Sequence, residues 1–234
     1  MYQQNQAVRG YAGGYGASAI DARAKFIVRT YNHLFGAIAL FALLEIGLFS
    51  SGLAPAIALP MLQHWWVVIG GFMVVGWLAT HTAHTATSTP AQYLALAGYV
   101  FAEAIVFAPM LYIAEQVAPG ALQSASLTTF LGFAALTAIA FVSKKDFSFL
   151  RTFLFWGMAV AMLLMVVSMI FGFNLGTFFS VGMVGLAGAA ILYDTSNVLR
   201  DYPTDRYVGA ALQLFASVAL LFWYVLQLFM RARD

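Results

Sequence analysis

The chain contains no cysteine, so no disulfide, thiolate metal site or cysteine nucleophile is available, and the redox compartment leaves no mark on the sequence. Charge is scarce as well. Only 9% of the 234 residues are charged while 62% are hydrophobic, which excludes a soluble domain with a solvated ionic surface. The first twenty residues lack a charged start followed by an apolar stretch, so they do not read as a cleavable signal. Their Gly, Gln and Tyr content reads instead as a disordered tail, and the chain divides into a cytoplasmic tail over 1–25 and a membrane domain over 26–234.

Several enzyme classes lack their parts. No His-Glu-x-x-His motif for a zinc protease occurs, no lysine lies in the last apolar run to hold retinal, and only one aspartate lies within any such run. An aspartyl intramembrane protease needs two. The expectation is a protein that is not an enzyme and that keeps no resident cofactor, beyond transient contact with Ca²⁺ or H⁺. The net charge of +2 is small and its basic residues cluster at the ends of apolar runs, so nucleic acid is not an expected partner.

What is present is apolar length. A bilayer crossing needs about 20 mostly apolar residues, and the segments 31–51, 62–82, 92–114, 122–142, 149–171, 176–198 and 207–230 each qualify. This pattern predicts an all-α membrane protein, a bundle of seven transmembrane helices joined by short turns. The breaks carry turn-forming residues: Ser-Ser-Gly-Leu-Ala-Pro at 50–55, Ala-Pro-Gly at 118–120, Ser-Lys-Lys-Asp at 143–146 and Arg-Asp-Tyr-Pro-Thr-Asp at 200–205. Loops this short predict antiparallel neighbours.

Three carboxylates fall well inside the spans: Glu45 in the first, Glu103 in the third and Asp194 in the sixth, with no Lys or Arg at their depth. A carboxylate in lipid must be protonated or must find a cation, donors or water, and ionisable groups in such places are functional candidates. Counted along their helices, Asp194 lies toward one end, Glu103 near mid-membrane and Glu45 a little beyond the middle, a ladder across the bilayer. The alternative reading is carboxyls acting as interhelical glue. In the last span Gln213, Ser217, Tyr224 and Gln227 fall within roughly 80° of one another on a 3.6-residue helix, so they form one polar stripe that should face the protein interior. Gln92, Tyr99 and Glu103 make a similar stripe in the third span, with Tyr99 placed one turn before Glu103 to donate a hydrogen bond. Gly182, Gly185 and Gly188 ahead of Asp194 predict close helix approach. His33, His64, His81 and His84 sit near span ends and read as interfacial histidines rather than as a metal pair.

The segments TYNHLFGAIALFALLE (30–45), FVSKKDFSFL (141–150) and YDTSNV (193–198), with the last span through LQLF (226–229), resemble the Bax inhibitor-1 (transmembrane Bax inhibitor motif) family, as a bacterial member. The resemblance covers most of the chain, and the Tyr-Asp-Thr motif is its most specific part. It implies a seven-helix bundle with the last helix central and a calcium leak conductance regulated by pH. In that family the motif aspartate, here Asp194, pairs with a second aspartate on the last helix. Here the partner position is Ser217, and an Asp–Ser pair cannot share a proton as two carboxylates do. Glu103 is the candidate replacement carboxylate, by its depth.

The resulting expectation is a pH-sensitive cation leak channel or transporter of the bacterial inner membrane, with Asp194, Glu103, Ser217, Glu45, Gln213 and Tyr224 on the ion and pH-sensing path. Asp194 and Glu103 would contact Ca²⁺ weakly. The alternative is a non-conducting scaffold that regulates other membrane proteins. The basic residues settle on alternate sides: nine lie in the tail, the 143–151 loop and the 199–206 loop, against Arg231 and Arg233 opposite. That bias places the N-terminus in the cytoplasm and, after seven crossings, the C-terminus outside. A cysteine introduced at Lys144 should therefore react with an impermeant reagent only after permeabilisation, and one at Gly120 in intact cells. The reverse labelling pattern overturns the orientation.

Overall fold

The computed structural model describes the backbone of residues 2–85, 88–143 and 145–232, and the side chains of these except residues 2–19, Trp65, Ala83 and His84. Among the described residues the fold is entirely helical: α1 (Tyr2–Ser50), α2 (Leu53–Gln63), α3 (Trp65–Thr85), α4 (Thr89–Val117), α5 (Ala121–Ser143), α6 (Leu150–Phe171), α7 (Gly176–Arg200) and α8 (Tyr207–Arg231). Six of these are long and apolar enough to cross a membrane, or seven if the bent pair α2–α3 is one span. With no water in a bilayer core, helices are the form that satisfies every backbone group within the segment.

The predicted spans map onto α1 and α3 to α8. One element went unread: the stretch around 50–55, taken for a turn, is only a break at Ser51–Gly52, where Gly52 adopts the left-handed φ of 73° that a side chain would strain. The chain then re-enters α2, which meets the following span at 103°. Eleven residues are too few to cross, so hydropathy alone did not separate α2 from a loop.

The expected tail over 1–25 falls mainly on residues 1–19, whose side chains lie outside the described residues. The packed part begins before residue 25, however. Arg23 donates to the carbonyls of Tyr202 (2.6 Å), Arg200 (2.9 Å) and Val198 (3.4 Å) at the C-terminal end of α7. The last carbonyls of a helix lack intrahelical donors in general, and a guanidinium fork here donates to this end of the chain while meeting the negative end of the helix dipole. Phe26 beside it stacks on Tyr202 at 6.1 Å.

Short loops did not always make neighbours. α5 and α6 are consecutive, yet α7 stands between them and packs on both. The connection from α5 to α6 crosses the end of α7, where the Phe147 N–H donates to the Ser196 hydroxyl at 3.2 Å. Asp146 accepts the Ser148 N–H at 2.8 Å, and that hydrogen bond holds its carboxyl below the usual range. α6 packs mainly on α7 and turns large apolar side chains such as Phe155, Trp156 and Phe171 outward. Facing lipid, these incur no penalty. The glycine prediction holds only in part. A Cβ added at Gly188 would meet Leu136 at 3.4 Å, whereas one added at Gly182 or Gly185 would meet nothing within 4 Å, and the tightest position is Gly157 of α6, where it would run into Leu186 of α7.

α8 packs against α1, α3, α4, α5 and α7. Its heart is aromatic: Phe107 of α4, 2% exposed, lies 5.2 Å from Phe41, 5.6 Å from Phe222 and 4.9 Å from Trp223, the last edge-on. Stacked and edge-to-face rings add about 0.5–1.5 kcal/mol per pair. Phe107→Ala should lower stability clearly, yet by less than the roughly 3–5 kcal/mol typical of a water-soluble core, because lipid replaces water as the alternative surroundings and only packing is lost. Unfolding titrations in mixed micelles measure this.

Candidate functional site

Asp194 is the second residue of the YDTSNV motif on α7 and is 4% exposed. Its Oδ2 accepts the Ser217 hydroxyl at 2.5 Å and its Oδ1 accepts the Gln213 side-chain N–H at 2.6 Å. Both donors come from α8, one turn apart. An ionised carboxylate only accepts hydrogen bonds, so two donors at these distances accommodate its charge without a cation. The expected partner position, Ser217, is thus the one used, and Gln213 completes a bridge that the sequence had placed only on a stripe.

The rest of that stripe faces the same way. Gln227 accepts the Ser180 hydroxyl of α7 at 3.1 Å, and the Tyr224 hydroxyl points at the Met165 sulfur of α6 at 3.9 Å while its ring meets Phe179. The stripe is therefore a zipper of α8 against α7, with Tyr224 reaching across to Met165 of α6 and Asp194 at one end.

Beside Asp194 the three segments that carry the family resemblance meet. Tyr31 of α1 sets its hydroxyl near those of Thr195 and Thr137, within electrostatic reach of Asp194. None of these three hydroxyls makes a direct hydrogen bond, although all are buried. On the other side Tyr202 also feels Asp194: burial first, and then that carboxylate, push its phenol up from the ordinary value. Arg23 and the loop through Phe147 close over the same end of α7.

The other two carboxylates do not join Asp194. Glu103 is 5% exposed and has Tyr99, one turn earlier, against its carboxyl, as the sequence spacing suggested. Glu45 is 7% exposed and neither of its oxygens has a partner. No hydrogen bond or electrostatic interaction connects either of them with Asp194, and no cluster of three or more His, Cys, Asp or Glu able to hold a metal occurs among the described residues. The ladder inferred from depth did not specify rotation: Glu45 faces the side of α8 formed by Phe215, Val218 and Phe222, opposite Ser217. His33 is engaged structurally, with Nδ1 toward the Arg29 carbonyl at 2.7 Å and Nε2 toward the Tyr93 hydroxyl at 2.6 Å. The side chain of His84 lies outside the described residues. Arg23 is the residue that sequence reasoning missed; a lone arginine near a span start gave no sign of which helix end it would meet.

A helical membrane protein that buries one carboxylate between its last two long helices, with donors in place of a counter-cation, is the class that fold and site define. The particular family follows from comparison. A family model described as "Inhibitor of apoptosis-promoting Bax1" matches residues 23–234, and the chain belongs to that Bax inhibitor family. It is similar to the Protein LIFEGUARD 4 of Arabidopsis thaliana, 33% identical over 150 residues, covering 61% of this chain and 59% of the plant protein. It is similar also to an uncharacterized membrane protein of Vibrio cholerae, 32% identical over 124 residues, covering 51% and 55%, and to an uncharacterized protein of Pseudomonas aeruginosa, 29% identical over 195 residues, covering 81% and 86%. The chain thus spans a little over half the length of the first two relatives.

The geometry separates two kinds of interhelical bond. Ser217→Ala leaves Asp194 Oδ2 without its donor in a dry interface, a loss of about 1.5–3 kcal/mol for a bond to a charged group. Ser180→Ala removes a neutral bond and should cost about 0.6 kcal/mol, the average for such pairs in membranes. Unfolding in lipid–detergent mixtures gives both values; equal costs would mean that Asp194 holds no charge there.

Proposed function

We propose that this protein is a pH-sensitive cation leak pathway of the bacterial cytoplasmic membrane, with seven spans, α2 and α3 counting as one, α8 at the centre and the N-terminus in the cytoplasm. The observation that supports it is the Asp194 bridge: a carboxylate near one end of the bundle, held by Ser217 and Gln213, with no basic side chain bonded to it. Ionised, Asp194 pins α7 to α8. Protonated, one of its oxygens becomes a donor and can no longer accept as before, so the pin weakens and the helices part more easily.

Calcium is favoured over other cations through the family, and protons through the chemistry of a single carboxylate. A hard cation takes six to eight oxygens, which Asp194, Ser217, Gln213, nearby carbonyls and water would supply only in passing. Weak sites suit a leak, since an ion held tightly does not move on. Glu103 and Tyr99 form a second polar station on α4, separate from the first. The competing reading is a scaffold that conducts nothing, and flux distinguishes the two.

The test is ion flux into proteoliposomes across pH. Asp194→Asn keeps the shape and removes the titration, so calcium or proton flux at neutral pH should change by roughly five-fold or more, the lower end of conformational coupling energies, and lose its pH dependence. Ser217→Asp restores two adjacent carboxylates, which resist joint ionisation, so a new titration step and a steeper response should follow. Parent-like flux in both variants at every pH leaves the scaffold reading in its place.

A further inference from the structure

Among the described residues the backbones of α1 and α5 stay apart and their side chains meet at one end through Tyr31 and Phe141, and the gap between the two helices holds a cavity of ≈ 390 Å³ floored by α4 and α8. Its size is that of a small-molecule site, for which the usual range is about 300–1,000 Å³. Phe35, Ile46 and Phe130 line it and are also 50%, 63% and 58% exposed on the outer face, so its mouth opens sideways into lipid rather than toward either aqueous side. Its walls are apolar except for three side chains. The Ser126 hydroxyl is spent on the Leu122 carbonyl at 2.8 Å. The Glu45 carboxyl and the Thr129 hydroxyl, 7% and 5% exposed, have no partner at all.

Both carboxylate oxygens and one hydroxyl are thus acceptors without a donor, covered in the wall of a cavity otherwise built for hydrocarbon, so that a ligand would meet them by turning the Glu45 side chain inward. An ammonium group carries three donors and one positive charge, and an alkyl chain fills apolar walls. A divalent cation would find too few oxygens here. An alkyl carboxylate would be repelled, and a neutral chain would leave Glu45 unmatched. We propose that this cavity binds a lipophilic primary amine, entering from the bilayer, with its ammonium on Glu45 and Thr129 and its chain along α8. The site lies on the face of α8 opposite Ser217, so it is independent of the Asp194 bridge.

The test titrates the purified full-length protein in micelles with decylamine, decanol or decanoate and follows the thermal midpoint. Decylamine should raise it saturably by roughly 2–4 °C or more, and decanol and decanoate should not. Glu45→Gln should shift the decylamine response at least ten-fold to higher concentration. Ala42→Phe, which fills the mouth from an exposed position, should abolish the response with Glu45 intact, and it decides the matter if Glu45→Gln fails to fold. If decanol acts as decylamine does, the cavity takes hydrocarbon without reading charge and the proposal is overturned. It is overturned equally if decylamine has no effect or if both variants respond as the parent.

Discussion

The carboxylate of Asp194 cannot rest in the interior of a bilayer protein without donors, and two side chains of one helix supply them. That demand organises much of the structure. It fixes the rotation of α8 so that Gln213 and Ser217 face α7, and the same rotation turns Tyr224 and Gln227 toward α6 and α7. The opposite face of α8 then has only apolar residues to offer, and there the aromatic packing of Phe107, Phe41, Phe222 and Trp223 forms. A polar seam on one side and a ring cluster on the other give α8 its five neighbours.

Lipid as solvent explains why these contacts matter more than apolar area. Apolar side chains gain little by leaving lipid for the interior, so helix order rests on hydrogen bonds, ring geometry and close backbone approach. α6 shows the consequence: it is strongly apolar, packs mainly on α7 and leaves most of its side chains outward. Polar groups left over inside such a protein are correspondingly informative. Tyr31, with Thr137 and Thr195 near its hydroxyl, lies within electrostatic reach of Asp194, and all three hydroxyls are buried without a hydrogen-bond partner. Glu45 and Thr129 are left over on the far face, in a cavity with a lipid-facing mouth.

The family relation and the geometry support each other at one place. The resembling segments at 30–45, 141–150 and 193–198 are distant in sequence, yet Tyr31, Phe147 and Ser196 gather at the same end of α7, capped by Arg23. The departure from the family pattern is there too. With Ser217 opposite Asp194 the bridge contains one carboxyl, and not a pair able to share a proton.

The sequence by itself determined the class of fold, most of the long apolar helices, the family, and the candidates Asp194 and Ser217, which the structure brings into contact. Bilayer thickness dictates helix length, and a lone carboxylate in a twenty-residue apolar run has no ordinary explanation. The stripe on α8 was legible for the same reason: a 3.6-residue period puts one face in one direction. Tertiary structure alone decided which helices that face meets, that α7 separates α5 from α6, that α2 is a helix, that Arg23 reaches across to the end of α7, and that Glu45 and Asp194 lie on opposite sides of α8. Depth along a helix can be counted from sequence, but rotation about its axis and the order of neighbours depend on packing between segments far apart in the chain, and no local pattern records them.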